Sequence, residues 1–173
     1  ITFYSDIEEE FGGQPGFIAM EKNGLIRGYE GLISGEPTEL EVHIGNKGGL
    51  TTAFEIRGRA SHASLPHLGV NAVHGMARFI TEYLKLPYLH GENPYFGKCT
   101  VNFEKIDSGL CDSTVPDYCI ACLDTRLIPE TPPELVREQF AGLIQRLHDT
   151  HGFTVREIDP PVEWRPKGGQ HAA

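Results

Sequence analysis

Four carboxylates crowd the first ten residues. Asp6, Glu8, Glu9 and Glu10 stand within five positions, and Gly12 and Gly13 follow. Two unit charges about 4 Å apart cost roughly 1 kcal/mol in water and about 4 kcal/mol near a protein surface. A solvated turn tolerates that repulsion. A strand end that keeps it needs cations, and ligands of open α/β sheets sit outside the carboxyl ends of the strands. The apolar run Ile1-Thr2-Phe3-Tyr4 ahead of the cluster reads as such a strand. Glu36 stands in the same relation to a second apolar run, Gly31-Leu32-Ile33-Ser34, just before Pro37. Two readings stand side by side: an acidic surface turn, or the wall of a metal site drawn from Glu9, Glu10 and Glu36.

The other residues able to do chemistry are fewer. Cys119 and Cys122 form a C-x-x-C, but no second pair completes a zinc site. They lie in a stretch that alternates like a strand, where positions three apart face opposite sides. Both read as structural thiols. His62 and His67 lie in GRASHASLPHLGVNA, a loop dense in Gly, Ser, His and Pro, where a lone histidine is ordinarily just solvated. Arg126, in the triplet Asp124-Thr125-Arg126, reads from its spacing as a strand-surface arginine within reach of Asp124.

Several elements must hold these groups. Residues 1–7 read as a buried strand and residues 12–25 as a turn and short helix with Phe17, Met20 and Leu25 apolar. Residues 31–34 read as a second strand. That succession is a βαβ unit, which puts the glutamates on one rim. Residues 40–44 and 50–56 read as two longer strands. Asn71 is placed to N-cap a helix running to about residue 86, with Val73, Met76, Ala77, Ile80 and Leu84 at helical spacing. Residues 87–94 read as a turn-rich connection. Strands follow at 98–106 and 117–128. A helix opening at Pro132-Pro133 runs to about residue 148, and a last strand covers 153–158. From residue 50 the order is β-α-β-β-α-β. That is an α+β layer with a four-stranded antiparallel sheet and two helices on one face. Asp159-Pro160-Pro161 reads as a hinge.

Composition narrows the function classes. A net charge of −9 disfavours nucleic acid, which selects basic faces. No run is apolar enough to span a bilayer, and no basic n-region with an apolar h-region opens the chain. Four cysteines in 173 residues fit a cytoplasmic protein better than a disulfide scaffold. The chain begins at Ile1, inside a strand-like run and without an initiator methionine. It is therefore expected to be a piece of a longer polypeptide.

Four ordered segments now carry a family resemblance: IEEEFGG at 7–13, SGEPT at 34–38, IRGRASHASLPHLGVNA at 56–72 and TVPDYCIACLDTRLIP at 114–129. Together they resemble the co-catalytic metallopeptidase and deacylase family of acetylornithine deacetylase, succinyl-diaminopimelate desuccinylase, aminoacylase and glutamate carboxypeptidase. The resemblance implies an α/β catalytic domain holding two divalent ions, zinc by preference with cobalt or manganese as alternatives. It also implies an inserted α+β lid that forms a homodimer. On this chain the catalytic part would be residues 1–48, the lid 49–160, and the return to the catalytic domain 161–173. The substrate would be a small N-acyl amino acid or peptide, cleaved at its amide bond by a metal-activated water.

Position by position, Glu9 resembles the general base that takes a proton from that water. Glu10 and Glu36 resemble ligands of the two metals. His62 resembles the lid histidine that reaches a partner's active site and donates to the carbonyl oxygen as it gains charge. Arg126 resembles the clamp on a substrate carboxylate. Ser113 stands where family members often carry Asn against the substrate carbonyl, so recognition there is expected to differ. The family's remaining metal ligands have no counterpart in this sequence, so hydrolysis and metal binding by this chain alone are expected to be weak. The competing reading is an association module without chemistry, using the helix from Val73 to Leu84 and the strand at 98–106.

Overall fold

A computed structural model describes residues 1–5, 7, 15–109 and 111–161, with the side chains of 149–151 excepted. The chain divides into two compact units, one over Lys47–Val162 and one that includes Ile1–Asn46.

In the larger unit the elements are β1 (Gly48–Arg57), α2 (Ala72–Tyr83), β4 (Thr100–Ser108), β5 (Tyr118–Leu127), α3 (Pro133–His151) and β6 (Thr154–Ile158), preceded in the other unit by α1 (Phe17–Lys22). A two-residue hairpin, β2 (Glu92–Asn93) with β3 (Gly97–Lys98), occupies the connection after α2. The sheet order is β4-β5-β1-β6, and every pairing is antiparallel. This is the four-stranded antiparallel sheet expected from the period-two runs.

Phe54 shows why the layers close. On β1, Thr52, Phe54 and Ile56 share one face, and Ala53 and Glu55 share the other. Phe54 is fully buried, 4.7 Å from the Phe79 ring on α2 and 5.2 Å from the Phe140 ring on α3. Both helices therefore cover the same face of the sheet. β5 adds Cys119, Ala121 and Leu123 to that face. Cys122, opposite Ala53, points to the other side. The C-x-x-C thus does split across the sheet, and both thiols are free and buried.

Local chemistry sets the boundaries. Asn71 caps α2 as expected, its Oδ1 accepting from the N–H groups of Val73 at 2.9 Å and His74 at 3.2 Å. α3 runs past residue 148 and stops where Gly152 adopts a left-handed φ of 71°. The β4–β5 register shifts between Phe103 and Lys105, a bulge that puts Glu104 out of step on the edge strand.

The first unit departs from expectation. Among the described residues, the two strands of the βαβ arrangement expected for residues 1–34 do not appear. α1 forms, but among the described residues 1–5, 7, 31–34 and 40–44 hold no strand. Ile33 is 97% exposed and Leu40 103%. The physical reason is pairing: a strand satisfies its backbone only beside another strand, and none lies alongside among the described residues. Local ties exist instead. The Tyr29 hydroxyl donates to Thr2 at 3.2 Å and lies 2.8 Å from the Tyr4 hydroxyl.

Candidate functional site

The loop carrying His62 is pinned at both ends by glycines that nothing larger could replace. It leaves β1 through Gly58, whose N–H donates to the Asp117 carbonyl at 2.7 Å. A Cβ on Gly58 would sit 2.0 Å from the Val70 oxygen. Arg59 and Val70 then exchange hydrogen bonds of 2.9 and 2.8 Å, closing the loop on itself. At Gly69 a Cβ would come within 2.6 Å of Ser61 Oγ and 2.8 Å of the Arg59 carbonyl. Both glycines exist for close backbone approach.

The closed loop is zipped to the segment entering β5. Val115 donates its N–H to the Ser61 carbonyl and Ala63 donates to the Ser113 carbonyl, each at 2.8 Å. His62 and Thr114 form an isolated antiparallel bridge. Two sequence-predicted residues, His62 and Ser113, therefore lie on paired backbone although 51 positions separate them in the chain. Both are exposed. Ser113 has a φ of 57°, the left-handed region that a non-glycine residue occupies at a cost of roughly 1–2 kcal/mol. Asn enters that region more readily than Ser.

The His62 ring is held by its own loop. Its Nδ1 lies 2.8 Å from Ser64 Oγ and accepts the Ser64 backbone N–H at 3.2 Å. The Leu65 N–H donates back to the His62 carbonyl at 2.8 Å, so the turn under the ring is closed. Ser64 carries no signal in the sequence beyond standing two residues after a histidine.

Arg126 is elsewhere. It pairs with Gly49 at the start of β1, whereas the His62 loop leaves from Arg57, which pairs with Tyr118. Tyr118 and Arg126 stand at opposite ends of β5, about 27 Å apart at ~3.4 Å per residue. Arg126 is half-exposed, and its Nε donates to Asp124 at 2.7 Å. The pairing with Asp124 is therefore present.

Glu36 is exposed, and Ser34 Oγ donates to it at 3.3 Å. Glu9 and Glu10 lie outside the described residues. Among the described residues no three His, Cys, Asp or Glu side chains converge where one ion could be held. The described donors therefore do not by themselves make a metal centre.

One charged cluster on the helix-free face was not foreseen. Glu55 is only 4% exposed and accepts from Arg57 at 2.7 Å and from Arg156 at 2.6 Å. The Arg57 hydrogen bond, against the opposing effect of burial, holds the carboxyl below the usual carboxylate range, with Arg156 adding to it. Arg57 also lies over the Tyr118 ring, 5.7 Å from its centroid.

Residues 44–151 match the family described as the peptidase dimerisation domain. The chain belongs to the M20 peptidase dimerisation domain family. Within that family it is 33% identical over 166 residues to a probable carboxypeptidase of Aspergillus clavatus, covering 91% of this chain and 38% of that protein. It is 32% identical over 146 residues to an acetylornithine deacetylase of Myxococcus xanthus, covering 80% of this chain and 38% of that one. Among solved structures, a putative aminohydrolase from methicillin-resistant Staphylococcus aureus superposes with a TM-score of 0.54 at 20% identity. It covers 68% of this chain and 31% of the other. That likeness concerns the fold. The chain thus spans between about a third and two fifths of the length of these relatives. The M20 match takes in every strand and helix of the sheet layer except β6, and it contains His62, Ser113 and Arg126. No helix among the described residues is long and apolar enough to cross a membrane.

Proposed function

We propose that this chain is the dimerisation domain, with adjoining active-site residues, of a metal-dependent amidohydrolase. Its substrates would be N-acyl amino acids or small peptides bearing a free carboxylate. The observation that carries the reading is the separation of His62 from Arg126. A small substrate cannot touch both ends of one ten-residue strand. If both groups serve one substrate, they come from two chains, which is what a homodimer built on this domain supplies. His62 and Ser113, on paired backbone, then belong to one site, and Arg126 to the other.

In this reading His62 donates a hydrogen bond to the carbonyl oxygen as it becomes an oxyanion. Removal of a donor of this kind costs roughly 10²–10³ in kcat. Arg126 fixes the substrate carboxylate through its planar guanidinium. Glu9 takes the proton of the attacking water and passes it to the leaving amine. Glu10 and Glu36 are proposed ligands of two divalent ions, zinc or else cobalt or manganese, which would acidify that water when bound.

The test is complementation in the polypeptide that carries this chain. His62→Ala and Arg126→Ala are each expected to abolish most hydrolysis of N-acetyl amino acids. Co-expressed, they form heterodimers in which one site keeps both side chains, so about a quarter of the activity returns in a two-fold symmetric dimer. Two variants that dimerise yet never complement would sink the two-chain site. A second reading, an association module without chemistry, is favoured by the match of residues 44–151 to a dimerisation domain. It predicts a dimer in sedimentation and no hydrolysis at any metal concentration.

A further inference from the structure

The geometry points to Ser64 as the positioning residue that fixes the tautomer of His62. A backbone N–H can only donate, so the Ser64 N–H at 3.2 Å requires a lone pair on Nδ1. The Ser64 hydroxyl, 2.8 Å from the same nitrogen, can donate or accept and follows that choice by donating. A proton on Nδ1 would face the fixed N–H and leave it unpaired. The neutral ring therefore carries its hydrogen on Nε2, on an exposed imidazole.

The turn that presents Ser64 is independently secured. Ser61 Oγ donates to the Leu65 carbonyl at 3.1 Å, and the Ser61 and Ala63 backbones are tied to Val115 and Ser113. The donor pair is thus built into the loop rather than met by chance. An Nε2–H is what a histidine needs to donate to a developing oxyanion, whereas the opposite tautomer would present a lone pair to negative charge. This significance rests on the function proposed above; the tautomer itself does not.

The experiment is nitrogen NMR of the whole chain labelled with ¹⁵N-histidine, at about pH 8.5, two units above the ordinary imidazole value. His62→Gln assigns the signals. The expected result is an Nδ1 of the unprotonated type and an Nε2 of the protonated type. Ser64→Ala keeps the backbone N–H and is expected to leave both shifts in place, whereas Ser64→Pro removes it and should move them toward the average of a mixture. In the polypeptide that carries the chain, Ser64→Pro should lower kcat about twofold to fivefold at constant KM, following the fraction of rings left competent. Ser64→Ala should keep kcat near wild type. A wild-type ring protonated on Nδ1, or a folded Ser64→Pro ring with unchanged shifts, overturns the proposal. A locked Nε2–H in an enzyme indifferent to His62→Gln would instead retire the catalytic reading of His62 and leave the lock standing.

Discussion

The two units carry similar apolar patterns and treat them in opposite ways. In Lys47–Val162, Phe54 and Ile56 are fully buried between sheet and helices. In Ile1–Asn46, Ile33 at 97% and Leu40 at 103% stand exposed, and the same kind of run forms no strand. α1 nevertheless forms there, at the place its pattern marked. The difference lies in where hydrogen bonds close. A helix pairs N–H(i) with C=O(i−4) inside one segment, whereas a strand must find its partner elsewhere in space. Apolar alternation is therefore a conditional statement: it becomes a strand only where a neighbour exists. Residues 50–56 have two neighbours, β5 and β6; residues 31–34 have none among those described.

The largest test of that contrast is Phe54→Ala. Phe54 contacts aromatic rings from both helices, including Tyr83 at 6.1 Å, and removal leaves a hole bounded by sheet and helices alike. The expected loss is about 3–5 kcal/mol, read as a lowered denaturant midpoint at unchanged m-value. A loss below about 1 kcal/mol would mean the larger unit is not organised around this ring.

A smaller effect tests the helix-free face of the same sheet. Glu55 is ionised between Arg57 and Arg156, so its folded pKa lies below its unfolded value near 4.3. Such a group contributes stability that is present above the unfolded pKa and is lost as pH falls through the folded one. Glu55→Gln should cost about 1.5–3 kcal/mol at neutral pH, and the difference from wild type should shrink once pH drops below about 4. Equal acid sensitivity of the two proteins in a pH series of urea melts would count against the triad.

Much of the larger unit was legible because its signals are local. Asn71 before an apolar helical stripe, prolines ahead of α3 and period-two runs at 50–56 and 117–128 each act within a few residues. Gly152, the stop of α3, is equally local and lies four residues past the expected helix end near 148. What stayed hidden is long-range. The Glu55–Arg156 pair joins strands a hundred positions apart, and the Glu104 bulge depends on how β4 meets β5. The site divides in the same way. The family resemblance singled out His62, Ser113 and Arg126, yet only the pairing of 61–63 with 113–115 shows that the first two travel together and the third stands at the far end. The role of Ser64 needed the orientation of one N–H. Glu9 and Glu10, the start of the chemical argument, lie outside the described residues, so the carboxylate side of the site stands on resemblance.

The smallest predicted effect bears on the first unit. Leu40→Ser replaces a fully exposed apolar side chain at a residue with a left-handed φ of 69°. Nothing is unburied by the change, so stability should stay within about 0.5 kcal/mol of wild type. Ile33→Ser should behave alike, at an exposed residue with no packing to lose. Serine is also the more soluble choice, since exposed runs of leucine and isoleucine are edges on which other chains can pair. A loss above about 1 kcal/mol at either position, measured beside Phe54→Ala in the same urea titration, would show that these side chains are covered in solution. The contrast between the two units would then be one of degree, with residues 31–34 and 40–44 holding strands that do have a neighbour.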